Sequence, residues 1–179
     1  MRSKLFNPQF IVLSAMILGA ALSRLLTNEL HLWNFTPIAA MALFGGAHFK
    51  DKKLAFIVPI IAMLITDAII GFHPGMYDVY GTLILIVFIG FTLRNKVKPG
   101  PVIAASLLSS VIFFVITNFF VWLGSSYYSH DFTGLVACFA AGIPFFGNTI
   151  AGDLFYCGVL FGGYELVRRN VPALMLQHK

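Results

Sequence analysis

Six apolar runs set off by short polar breaks govern what this chain can fold into. They lie near residues 9–27, 36–49, 53–71, 78–94, 101–123 and 145–167. A helix crossing the hydrocarbon core of a bilayer needs about 20 predominantly apolar residues, and most of these runs are close to that length. Apolar residues make up 59% of the 179 and charged residues 11%, against roughly 45–50% and about 25% in soluble domains. The reading is an all-α, polytopic membrane protein, a six-helix transmembrane bundle forming one domain over residues 1–179. Six spans of about 20 residues leave only about 60 for loops and tails. That excludes an appended catalytic domain, a nucleotide-binding P-loop domain or a large receptor head.

Local signals place the boundaries. Thr36 followed by Pro37 suits a helix cap and first turn, although the run it opens is short and interrupted at Gly45-Gly46. Phe72-His73-Pro74-Gly75 and Lys98-Pro99-Gly100-Pro101 are helix stops. The start Met1-Arg2-Ser3-Lys4 resembles a signal peptide, but the apolar run continues to Leu26 and is read as a retained first helix. The segment 134–144 is too apolar for an exposed loop and too short to cross alone. An additional interfacial or re-entrant helix is expected there, with Pro144 opening the last span.

Charge orients the chain. The net charge is +5, and its cations cluster at alternate breaks. Arg2 and Lys4 precede the first run; Lys50, Lys52 and Lys53 separate the second from the third; Arg94, Lys96 and Lys98 separate the fourth from the fifth; Arg168, Arg169 and Lys179 follow the sixth. With six spans all of these fall on one side, and the opposite loops contain no Lys or Arg. Cytoplasmic loops collect basic residues, so both termini are expected to be cytoplasmic. The basic excess then needs no nucleic acid to explain it. Cys138 and Cys157 lack disulfide-framework or zinc spacing and read as small buried residues.

The remaining cation, Arg24, lies near the outer end of the first run, and Asp67 sits at a similar level of the third. Asn118 is near the end of the fifth run, and Asp153 lies deeper in the sixth. Ionisable groups at such depth cost several kcal/mol (about 2.5–3.5 on insertion scales) unless they are paired or face a wet cavity. Thr149, Asp153 and Tyr156 share one helical stripe, and Asn118 shares another with Phe114 and Trp122. Polar groups flanked by rings are what a small organic ligand needs. Arg24, Asp67, Asn118 and Trp122, with Asn148, Thr149, Asp153 and Tyr156, are therefore the candidate substrate-binding residues. The competing reading is a structural Arg24–Asp67 or Arg24–Asp153 ion pair, with Asn118 bridging helices.

Outer loops add Trp33, Asn34, His73, Tyr77, Asp78, Tyr127 and His130, a candidate lid or a set of interface anchors. No helix-spaced His pair suggests a metal, and neither a metal nor a cofactor is expected. Ala15, Gly19 and Ser23 recur every four residues on the first helix, as Gly158 and Gly162 do on the last. Such faces let helices approach closely, either within the fold or on a partner subunit.

Size, six spans, cytoplasmic termini and the polar outer pocket resemble the substrate-capturing S-components of energy-coupling-factor vitamin transporters. In those, an A-x-x-x-A face on the first helix meets the coupling subunit. The matching stretch is Ala15-Met16-Ile17-Leu18-Gly19, with Gly in the second small position, and Asn34-Phe35-Thr36-Pro37-Ile38-Ala39-Ala40 leading to Phe44-Gly45-Gly46 resembles their second helix. That run, together with Ile65-Thr66-Asp67, Thr117-Asn118-Phe119, Ile143-Pro144-Phe145-Phe146-Gly147-Asn148 and Gly152-Asp153-Leu154, is also similar to an uncharacterised family of small six-span bacterial membrane proteins. The first resemblance implies binding of a vitamin-like nutrient from the outer side, energised by a partner ATPase complex. No catalytic motif is present, so an enzyme is not expected. The alternatives are an ion-coupled secondary transporter and an intramembrane enzyme using Asp67 and Asp153 as acid and base.

Overall fold

A computed structural model describes residues 7–171, and all regular structure among them is helical. α1 runs Pro8–Glu29, α2 Ile38–His48, α3 Lys52–Ile70, α4 Met76–Thr92 and α5 Pro99–Gly124. α6 (Phe132–Cys157) passes through a π-helical segment, Gly158–Gly162, into α7 (Gly163–Asn170) without a break. α1, α3, α5 and the α6–α7 helix are long and apolar enough to cross a membrane; α2 and α4 are shorter. Arg2, Lys4 and Lys179 lie outside the described residues.

The α6–α7 helix corrects one expectation. Residues 134–144 are not a separate interfacial or re-entrant helix; they are part of α6, and Pro144 lies inside it. Asp131 starts that helix by accepting from the Gly134 N–H at 2.8 Å. This bond, with a second from Ser129 Oγ at 2.8 Å, holds the Asp131 carboxyl below the usual range. Further along, Gly142 seats against α5 so closely that an added Cβ would strike Asn118 Oδ1. A proline in a helix interior removes one backbone bond, and packing along α5 carries the helix past it.

The other helix ends follow their local chemistry. Asn7 caps α1, accepting from Gln9 N at 3.0 Å, with Pro8 in the first turn. Asp51 does the same for α3 through Lys53 N. Gly71 ends α3 at φ +111°, a backbone region that L side chains rarely adopt.

α2 is the hub. Every residue from Ile38 to Ala47 is buried, and the helix touches all five of the other principal helices. A helix that is apolar all round belongs in an interior, and α2 is built of residues small enough to be surrounded. Its closest neighbour is α4: a Cβ on Gly46 would come within 2.8 Å of Gly90 Cα, and one on Gly90 within 2.6 Å of Leu43 O. On another side, Gly45 faces Pro59 of α3. The large ring of Phe44 fills the far side, meeting Phe161 at 5.3 Å and Tyr164 at 5.7 Å edge-on.

Two sets of bonds tie the helices together at one end of the bundle. Arg94, just past α4, donates from Nε to Gly46 O at 3.0 Å and from Nη2 to Phe49 O at 2.8 Å, satisfying carbonyls at the C-terminus of α2. Gln9 donates to Tyr164 Oη at 3.2 Å, tying the start of α1 to α7. Lys50, Arg94, Lys98, Arg168 and Arg169 thus gather at one end around a single cavity.

Candidate functional site

Away from the basic end, α1, α3 and α4 meet over a buried charge network. Arg24 Nη1 lies 2.7 Å from Asp67 Oδ1 and donates to Thr66 Oγ1 at 2.5 Å. Tyr80 of α4 donates to the other oxygen, Asp67 Oδ2, at 2.7 Å. The side chains of Arg24 and Asp67 are 11% and 3% exposed, so removing either charge would strand the other away from solvent. Of the two ion pairs open from the sequence, the fold forms Arg24–Asp67. Thr66 and Tyr80, absent from the substrate-binding set, complete this network.

Asp153 belongs to a different one. It is buried between α6 and α5, and Ser110 Oγ donates to its Oδ2 at 2.6 Å. Among the described residues no cation lies within ion-pair distance of it. Ser106, Ser109 and Ser110 form the buried polar stripe of α5; their i, i+3, i+4 spacing was the available signal for this partner. One helical turn from Asp153, Tyr156 Oη meets Ser23 Oγ at 2.8 Å, joining α6 to α1. Thr149 bonds back to Phe145 O at 3.3 Å, and Asn148 donates to Trp33 O at 3.0 Å, anchoring the α1–α2 loop. Gly152 lets that loop approach: a Cβ there would stand 3.0 Å from Thr36 N.

Asn118 and Trp122 are not joined to either network by a hydrogen bond or ion pair among the described residues. Asn118 donates to Phe114 O at 2.8 Å, and Trp122 to Ser129 O at 2.9 Å, so both serve the α5–α6 hairpin. His130 packs edge-on against Trp122 at 5.7 Å. Tyr77 and Tyr127 are 84% and 93% exposed, and Trp33, Asn34 and His73 are exposed too; Asp78 is half-buried.

The small-residue faces divide. Ala15 and Gly19 lie on an exposed strip of α1, and a Cβ on Gly19 would meet nothing within 4 Å. Ser23 is instead engaged by Tyr156. Added Cβ atoms on Gly158 and Gly162 would also meet nothing within 4 Å, because both residues border the cavity. That cavity, of about 1210 Å³, lies at the basic end between the start of α5 and the π-helical segment. The sequence read its cations as topology markers alone.

No curated protein and no solved structure matches the chain. A family model does, over residues 4–174, and it is described as a family of unknown function, DUF6580. With nearly its whole length covered, the chain belongs to that family.

Proposed function

We propose that the chain is a multi-pass protein of the cytoplasmic membrane that binds a small organic nutrient from the outer side as the capture subunit of an uptake system. Its six helices are membrane-embedded and both termini are cytoplasmic, because the basic end carries the loops that retain Lys and Arg. The observation that carries the binding role is the Arg24–Asp67–Tyr80–Thr66 network set among apolar helices. Ionisable groups in such surroundings mark substrate and ion pathways. A ligand carboxylate or phosphate would take the place of Asp67 at the guanidinium, with Tyr80 and Thr66 as orienting hydroxyls. On α6, Asn148, Thr149, Asp153 and Tyr156 are the further candidates, of which Tyr156 reaches α1 through Ser23, next to Arg24 in the chain.

Without a nucleotide motif in the sequence, energy comes from a partner ATPase complex or from an ion gradient. The exposed Ala15–Gly19 strip suits close approach of a helix from a coupling subunit bound to an ATPase, as in the S-components that the chain resembles. A second reading rests on Asp153. A buried carboxylate without a facing cation is suited to hold a proton or sodium ion, which favours an ion-coupled secondary transporter. The acid–base enzyme reading has less support, since Asp67 and Asp153 sit in separate networks.

Native mass spectrometry of gently extracted protein tests binding. A retained small organic mass is expected in the wild type and lost in the charge-neutral double variant Arg24→Gln with Asp67→Asn. Retention of that mass by the folded double variant would overturn the site.

A further inference from the structure

The cavity at the basic end has an uneven wall. Five cationic side chains, Lys50, Arg94, Lys98, Arg168 and Arg169, line it against one carboxylate, Glu165. Glu165 is already engaged: Arg168 binds both its oxygens at 3.0 Å, and Arg169 Nε donates to Oε1 at 2.8 Å. It therefore fixes two guanidinium groups in the wall. The other wall is apolar, with Val102 and Ile103 of α5 facing Leu154 and Phe161 of the last helix. Where these helices part, the last helix takes its π-helical turn, and Gly158 and Gly162 leave open space where side chains would stand. π-bulges of this kind occur frequently at functional sites. The N-terminus of α5, at Lys98-Pro99, opens on the same space and adds the positive end of its dipole.

We propose that this cavity binds an anionic phospholipid. The phosphate sits among the arginine and lysine groups, whose charges and remaining N–H groups suit its oxygens. One acyl chain lies between α5 and the π-helical segment. The combination selects an amphiphile: the cations alone would take any phosphate, but the adjoining apolar slot has no use for a soluble one. This inference rests on the membrane placement proposed above and not on the uptake role.

The test titrates the full chain, purified in a neutral detergent, with dioleoyl phosphatidylglycerol, dioleoyl phosphatidylcholine and sodium phosphate, reading bound lipid by native mass spectrometry. Phosphatidylglycerol is expected to bind in preference to phosphatidylcholine, with sodium phosphate competing only weakly. Lys98→Gln, at an exposed position, should lower that affinity about fivefold, the effect of one basic residue at an anionic lipid surface. Gly158→Leu changes no charge and meets no atom within 4 Å at its Cβ. It should leave thermal stability intact yet weaken binding about tenfold, as displacing roughly two buried methylenes would. If Gly158→Leu proves unstable, Gly162→Leu, equally open at its Cβ, takes its place.

Equal binding of the two lipids would overturn the proposal, as would unchanged affinity in folded Lys98→Gln and Gly158→Leu. Displacement of the lipid by equimolar sodium phosphate would assign the cations to a soluble anion instead. Lipid affinity that emerges only after deletion of residues 172–179 would assign the cavity to that segment of the chain. Failure of the nutrient site leaves all these outcomes untouched, because the variants lie at the other end of the bundle.

Discussion

Arg24 and Asp67 carry the clearest energetic consequence of any pair in the molecule. Breaking a buried ion pair by removing one partner costs about 3–5 kcal/mol, and snorkelling reduces the figure near a membrane surface. Arg24→Gln and Asp67→Asn should each lower thermal stability in detergent markedly, and the charge-neutral double variant should recover most of the loss. Asp153→Asn should behave differently. No cation is left unpaired, and the amide oxygen still accepts from Ser110, so its melting temperature should stay close to wild type. A collapse of Asp153→Asn comparable to that of Asp67→Asn would show that Asp153 balances a charge after all. The sequence made both aspartates visible, since a carboxylate in an apolar run stands out. It offered Arg24 as a partner for either, but it did not reveal Ser110 and Tyr80, ordinary residues whose roles depend on how the helices face one another.

Helix boundaries were largely legible. The runs near 36–49 and 53–71 correspond to Ile38–His48 and Lys52–Ile70, because caps and glycines act locally. Two features were not. Pro144 reads as a helix start, yet contact with α5 along Gly142 carries α6 through it. α2 looks like a weak span because it is short, but its position at the centre depends on neighbours that no local pattern encodes. Its glycines give the test. Gly46→Ala or Gly90→Ala would force a methyl group into the backbone of the facing helix, and such overpacking costs about 1–3 kcal/mol. Gly19→Leu meets no atom, so it should melt like wild type while weakening association with any coupling subunit. Unfolding of Gly19→Leu would return that face to internal packing. Thermal melts of the three variants, with co-purification for the last, separate these outcomes.

At the scale of the whole molecule the chain is polarised. The charge network of Arg24 and Asp67 lies away from an end that gathers five cations around a cavity. The continuous helix Phe132–Asn170 has 39 residues, about 58 Å at 1.5 Å per residue, well beyond the roughly 30 Å of a hydrocarbon core. Its first part pairs with α5 in the α5–α6 hairpin, where Trp122 stands in the last turns of α5 and the exposed Tyr127 and His130 in the connecting loop. In the sequence those cations appeared only as an alternation along the chain. Their convergence on one cavity needed the fold, since Arg94 and Arg168 are brought together across two connections and the full depth of the bundle.

The proposed membrane orientation underlies both the proposed nutrient site and the proposed lipid site, and labelling with a membrane-impermeant maleimide reads it directly. Single cysteines replace Tyr127 at the hairpin tip and Lys98 at the basic end, both exposed, while the native Cys138 and Cys157 are buried and the unsubstituted chain serves as control. In intact cells Tyr127→Cys should label and Lys98→Cys should stay silent until the membrane is permeabilised. Labelling of Lys98→Cys from outside, or of both positions in intact cells, would contradict the orientation and with it the assignment of an outward nutrient site.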